Sequence, residues 1–189
     1  TSEVIVIVDS TSPGEVGDLQ LSNDSTGVAV PITAGSATND ATPVLSGTAE
    51  AGSIVTVKDN GTTIGNAIVG SDGNWSFTPA AALAEGPHSL TTIVTDSTGN
   101  AGPESPAFEF SVDTVAPDSA NAVVLNNDNG GGAIPITSGG ATNDTTPVLR
   151  GTAEAGTINT VRDGDTLLGS VQVAVGGAWS LTSPVLSQG

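Results

Sequence analysis

Cysteine is absent from the chain, so no disulfide framework, thiolate metal site or cysteine nucleophile is available. Basic residues are nearly absent as well. Lys58, Arg150 and Arg162 stand against 20 acidic residues, for a formal charge of −17. A nucleic-acid backbone or an anionic membrane surface would be repelled by that charge. The longest apolar run near the start, Val4-Ile5-Val6-Ile7-Val8, is far too short to cross a bilayer, and no basic segment followed by an apolar stretch opens the chain. With no initiator Met, the chain reads as an excised fragment. Histidine occurs once, as His88, in the turn after Glu85-Gly86-Pro87. It is expected to be solvated. No Ser–His–Asp arrangement, Gly-rich phosphate loop after a strand, or His-rich metal spacing is present, and the sequence reads as that of a non-enzyme.

What the chain does contain is Val, Ile, Leu and Ala, with 25 Gly, 11 Pro and only 3% aromatics among its 189 residues. Short strands joined by many tight turns suit that composition. The decisive feature is repetition. Asp9 to Trp75 aligns without a gap on Asp113 to Trp179, an offset of 104 residues. Within it, Thr42-Pro43-Val44-Leu45 and Gly47-Thr48-Ala49-Glu50-Ala51-Gly52 return as Thr146-Pro147-Val148-Leu149 and Gly151-Thr152-Ala153-Glu154-Ala155-Gly156. The chain is an internal tandem repeat.

A repeat of this size with turn signals every ~8–12 residues points to an all-β, immunoglobulin-like Greek-key β-sandwich. Seven strands are expected, near Asp18–Ser22, Val44–Ala49, Ile54–Lys58, Thr63–Val69, Trp75–Phe77, Ser89–Thr95 and Ala107–Val112. A long Gly/Thr/Asn-rich connection separates the first two. Alternation puts Trp75 and Phe77 inward, likewise Leu90, Thr92 and Val94, and likewise Phe108, Phe110 and Val112. A core role for Trp75 and Trp179 follows, in preference to a sugar-stacking one. The phase of the repeat assigns 1–8 to the last strand of a preceding unit, 9–112 to a complete sandwich, and 113–189 to a second unit truncated before its last two strands. Strand exchange through Thr1–Val8 of another copy is the expected way of completing it.

Four segments together resemble the bacterial Ig-like repeats of giant surface adhesins: Val112-Asp113-Thr114-Val115-Ala116-Pro117, Asn39-Asp40-Ala41-Thr42-Pro43-Val44-Leu45-Ser46-Gly47-Thr48-Ala49-Glu50-Ala51-Gly52, Asp72-Gly73-Asn74-Trp75-Ser76-Phe77 and Thr95-Asp96-Ser97-Thr98-Gly99-Asn100. Such repeats occur in biofilm-associated proteins, in extender regions of RTX adhesins and in the extender of an ice-binding adhesin. The resemblance implies an extracellular protein at a Gram-negative cell surface, exported by type I secretion, whose repeats hold a distal adhesive domain away from the cell. It also implies Ca²⁺ at the junctions between repeats.

The residues themselves say where such ions would sit. In a sandwich entered from one end, alternate loops gather at opposite poles. Asp9 from the incoming linker, Glu50, Asp72, Asp96, Asn100 and Glu104 fall at the incoming pole; Asp24, Asn39, Asp40, Asp59 and Glu85 fall at the outgoing one, toward Asp113 and Asp118. Ca²⁺ takes about six to eight oxygens in flexible geometry, which loops rich in Asp, Asn and Gly supply. The expected ligands are Asp9, Glu50 and Asp96 at the first junction and Asp113, Asp118 and Glu154 at the second, with Asp72, Asn100 and Asp40 as further candidates. The competing reading of each aspartate is a turn-former that caps its own backbone, and it is strongest for Asp59 and Asp72. Short linkers ending at Pro13 and Pro117 add stiffness. A calcium-stiffened spacer, partnered by neighbouring repeats, is the function these features suggest. The alternative is a ligand-binding module that contacts carbohydrate or a host receptor through its loops.

Overall fold

A computed structural model of the chain describes residues 8–129 and 132–186. Thr1–Ile7, the greater part of the strand expected to be exchanged, lies outside the described residues. The chain divides into two compact units, the first ending at Val115 and the second beginning at Ala116.

In the first unit two sheets face each other. One has the order β2-β1-β4-β7, from β1 (Gly17–Asn23), β2 (Val30–Ile32), β4 (Val44–Thr48) and β7 (Asn74–Phe77). The other has the order β3-β10-β8-β5-β6, from β3 (Ala37–Thr38), β5 (Ile54–Asp59), β6 (Thr62–Ile68), β8 (Gly86–Thr95) and β10 (Phe108–Val112). A further strand, β9 (Ala101–Glu104), pairs with β8. Alternate residues of each strand meet between the sheets. Leu21, Leu45 and Trp75 from one sheet pack against Val55, Val57, Leu90, Val94, Phe110 and Val112 from the other. Side chains of this size each contribute about 1.5–3 kcal/mol when fully buried, and with no disulfide in the chain this packing is what holds the sheets together.

The inward-facing residues expected from alternation are buried, with Phe77 and Phe108 only partly so. The long connection between β1 and β4 differs from expectation. It is not irregular throughout, since β2 folds back antiparallel on β1 and β3 crosses to the other sheet, where it runs parallel to β10. The reason is edge coverage. β10 would otherwise expose a row of unpaired backbone groups beside the buried Phe110 and Val112.

The second unit repeats the pattern over the residues it has. β11 (Asn121–Asn127), β12 (Ile134–Ile136), β13 (Val148–Thr152) and β16 (Ala178–Thr182) form a sheet of order β12-β11-β13-β16, and β14 (Ile158–Asp163) pairs with β15 (Thr166–Gln172). Fine detail returns with the sequence. The irregularity in the hairpin at Val57/Lys58 recurs at Val161/Arg162, and the close packing of an indole on a glycine, Trp75 on Gly47, recurs as Trp179 on Gly151.

That packing yields a prediction. A methyl group on Gly47 would lie 2.7 Å from the Gly17 carbonyl oxygen and 3.3 Å from the Trp75 ring. Since the first of these is backbone, Gly47→Ala should destabilise the first unit by about 1–3 kcal/mol, read as a lower urea midpoint. An unchanged midpoint would mean that neither the Gly17 carbonyl nor the indole is held against that glycine.

Candidate functional site

The two poles of the first unit are where chemistry-bearing side chains collect. At the incoming pole the turn between β8 and β9 is organised by Asp96. Its Oδ1 accepts hydrogen bonds from the Thr98 amide and hydroxyl, both at 2.9 Å, and from the Asn100 amide at 2.8 Å. Its Oδ2 accepts from Asn100 Nδ2 at 2.8 Å. Burial pushes the Asp96 carboxyl up, but the donors from Asn100 and Thr98 outweigh it and hold the group down at about 2. Asn100 also reaches the linker. Its Nδ2 lies 3.2 Å from the Asp9 carbonyl oxygen, and the Pro13 carbonyl presses so closely on Gly102 that a methyl group there would collide with it. The linker is thus laid against the start of β9, and glycine at 102 permits the contact.

Asp9 shapes that linker from within, its Oδ1 accepting the Thr11 amide at 3.0 Å. Asp113 repeats the arrangement, accepting the Val115 amide at 3.2 Å, while its own amide donates to the Thr38 carbonyl at 2.8 Å. Asp72 is a turn-former. It takes the Asn74 amide at 3.2 Å and Asn74 Nδ2 at 2.7 Å, and those bonds, the side-chain one first, lower its carboxyl below the usual range. Asp40 is buried at the outgoing pole, with Oδ1 on the Thr42 amide at 2.9 Å and Oδ2 on the Asp24 amide at 3.1 Å. Asp144 does the same in the second unit with Thr146 and Asp128. Glu50 is exposed, and its carbonyl, rather than its carboxylate, closes the turn to Ser53. In the second unit Asp118 and Glu154 line one cavity together with Ser119, Asn121, Thr152 and Ala153. Glu104, expected at the incoming pole, instead lies on β9, where it accepts from the Thr91 hydroxyl at 2.6 Å and pairs with Lys58 at 3.3 Å.

Three oxygens converge on Asn100 Nδ2: Asp96 Oδ2, Thr98 Oγ1 and the Asp9 carbonyl. An amide NH₂ has two hydrogens, so acceptors outnumber donors there, and such a surplus of oxygen suits a hard cation. Among the described residues, however, no three His, Asp or Glu side chains gather closely enough to hold a metal. The structure thus brings Asp96, Asn100 and the Asp9 main-chain oxygen together at this pole.

At the outgoing pole Glu85, placed there from the sequence without a partner, and His88, expected to be solvated, take roles that sequence reasoning did not assign. Glu85, in the loop before β8, takes the Thr114 amide at 3.1 and 3.3 Å through its two oxygens and also accepts the Thr114 hydroxyl. His88 is not solvated. It is 7% exposed, with Nδ1 2.7 Å from Asp59 Oδ2, Nε2 2.8 Å from the Ala84 carbonyl and its ring 5.4 Å from that of Phe110. β8 begins at Gly86, earlier than expected, because Gly86 and His88 pair with Val112 and Phe110. His88 thereby joins Leu90, Thr92 and Val94 on the inward face. The shared parity of these positions is the signal that could have found it.

The depressed Asp96 carboxyl has a consequence for acid. A group whose folded value lies below its ordinary one contributes stability that is present above about pH 4 and lost as pH falls through the folded value. Melting of the first unit is expected to weaken from about pH 4 toward about pH 2, and Asp96→Asn should flatten that part of the profile. Parallel acid profiles for the two proteins would show that Asp96 does not organise the turn.

No curated protein matches the chain. Among solved structures it is similar to CopC from Methylosinus trichosporium OB3b, at 22% identity and a TM-score of 0.31 over 43% of this chain and 85% of that one. It is also similar to a tetra-tandem repeat in the extending region of a large adhesion protein, at 17% identity and a TM-score of 0.34 over 95% of this chain and 61% of that one. The family profile of the bacterial Ig-like domain matches residues 11–114. With a strand-rich sandwich in place and more than half of its length matched, the chain belongs to the bacterial Ig-like domain family.

Proposed function

We propose that the chain is a spacer segment of a large extracellular bacterial adhesin, a run of sandwich units whose connections are held stiff so that a distal adhesive domain stands clear of the cell. The observation that carries this reading is that the first unit grips the linker at each of its ends. Asn100 and Gly102 receive Asp9 and Pro13 at the incoming pole, and Glu85 receives Thr114 at the outgoing one. A linker hydrogen-bonded to a domain loses the freedom that would let the units swing. Near-duplication of the units also supports a spacer, since loops that bind ligands diverge more readily than the strands that carry them. The charge of −17 favours solubility and discourages collapse of units on one another. Surface placement, type I export and a role in biofilms belong to the same reading.

Calcium is its second part. Asp96, Asn100 and the Asp9 main-chain oxygen would hold an ion at the incoming pole of the first unit, and Asp118 with Glu154 would do so in the second. Bound to the folded form only, Ca²⁺ would add about 2.7 kcal/mol at a hundredfold excess over its Kd. Extracellular modules bind it at about 10⁻⁴–10⁻³ M, so export from a low-calcium cytoplasm would add stiffness where it is needed.

Thermal melts in millimolar Ca²⁺ and in chelator, with small-angle scattering under both conditions, test the two parts separately. An extended particle is expected throughout, with a higher melting temperature in Ca²⁺. A folded-back particle in both would overturn the spacer; equal melting temperatures would remove the ion and leave the spacer standing. Binding of glycans or adhesion of cells by this chain alone would favour the loop-binding alternative.

A further inference from the structure

At its outgoing pole the first unit buries a histidine against a carboxylate, His88 against Asp59, at the edge of the core beside Phe110. Both ring nitrogens of His88 face acceptors, the Asp59 carboxylate at 2.7 Å and the Ala84 carbonyl at 2.8 Å. A neutral imidazole has one N–H, so either tautomer would point a lone pair at an oxygen; only the doubly protonated ring satisfies both partners. Asp59 is fixed independently, since its Oδ1 accepts the Ser89 amide at 3.2 Å. Ala84 is the softer partner. Upstream, the Leu83 amide anchors the loop to the Ala41 carbonyl at 2.8 Å; downstream, Gly86 turns into β8 with a φ of 106°. Between these anchors lie Ala84, which His88 holds, and Glu85, which holds Thr114.

We propose that the His88 imidazolium is a positioning residue for the outgoing linker: by holding the Ala84 carbonyl through Nε2–H it sets the place from which Glu85 grips Thr114, and loss of the Nε2 proton, with Nδ1–H kept on the Asp59 carboxylate, releases that grip. The inference rests on the spacer reading for its biological use, since a releasable grip makes the junction stiff at neutral or acidic pH and loose in alkali. The grip itself is a property of the first unit.

The surroundings favour the charged ring. Asp59 comes from β5; Glu109, from β10, lines a cavity with His88, Asn60 and Gly35; Glu85 follows the carbonyl that His88 binds. Lys58, the cation next to Asp59 in sequence, is turned to Glu104 instead. Burial pushes the ring's pKa down, but the Ala84 carbonyl and the Asp59 carboxylate prevail and raise it above its ordinary value. A raised folded value means that the stabilisation is complete below about pH 6.5 and is lost as pH climbs through the folded value.

His88 is the only histidine in the chain, so its imidazole signals in a nitrogen-15 spectrum of the whole 189-residue protein need no variant for assignment. Titration from about pH 5 to about pH 9 is expected to show the ring losing one proton with a midpoint above about 6.5, and the Thr114 amide shifting with the same midpoint. In Glu85→Gln the Thr114 shift should shrink and cease to follow the ring, while His88 still titrates. In Asp59→Asn the midpoint should fall. A Thr114 amide that ignores the His88 transition in the native chain, or a ring already neutral at about pH 5, would overturn the proposal. These outcomes are separate from the scattering result. A folded-back particle in which His88 and Thr114 still titrate together would sink the spacer and keep the grip.

Discussion

The burial of one apolar face from each of two sheets is the constraint on which the rest of the first unit depends. No cross-link assists it, and the interlocking side chains are mostly small aliphatic ones, with Trp75 and Phe110 supplying the bulk. Such a core tolerates little error in strand register, because a slip by one residue would turn Val55, Val57, Leu90 and Val94 toward water. Register is set in turn by short hairpins, such as the one at Asp59-Asn60-Gly61, where Asn60 and Gly61 both adopt positive φ.

Once the core has fixed the strands, the loops have no choice but to gather at two poles, and it is there that the acidic residues are employed. Asp40, Asp72 and Asp96 each accept backbone N–H groups that the strand ladders leave unpaired. An acidic chain with three basic residues cannot neutralise its carboxylates in ion pairs. It disperses them among amide and hydroxyl donors instead, and for Asp72 and Asp96 those donors stabilise the ionised form. The same economy explains why an oxygen-rich node at Asn100 forms without a cluster of three carboxylates among the described residues.

The poles also do the work of joining. At one, a carboxamide and a bare glycine accept the incoming linker; at the other, a glutamate accepts the outgoing one. Neither device reads as a motif. Asn100 and Glu85 lie far in sequence from Asp9 and Thr114, and only closure of the sandwich makes them neighbours.

The division between sequence and structure follows from that. Alternation and a repeat of 104 residues were enough to determine the strand-rich class, the main strands and the inward place of Trp75, Leu90 and Val94, because those depend on local period and on what the chain must hide from water. The turn role of Asp72 was legible for the same reason, since an Asx side chain finds its partners within a few residues; Asp96, expected first as an ion ligand, organises its turn in the same way. Only the tertiary structure decided that β3 crosses to cover β10, that Glu104 turns to Lys58, that His88 is buried between the Asp59 carboxylate and the Ala84 carbonyl and that Glu85 holds the linker. Each of these is a contact between segments distant in the chain, and such pairings have no period to betray them.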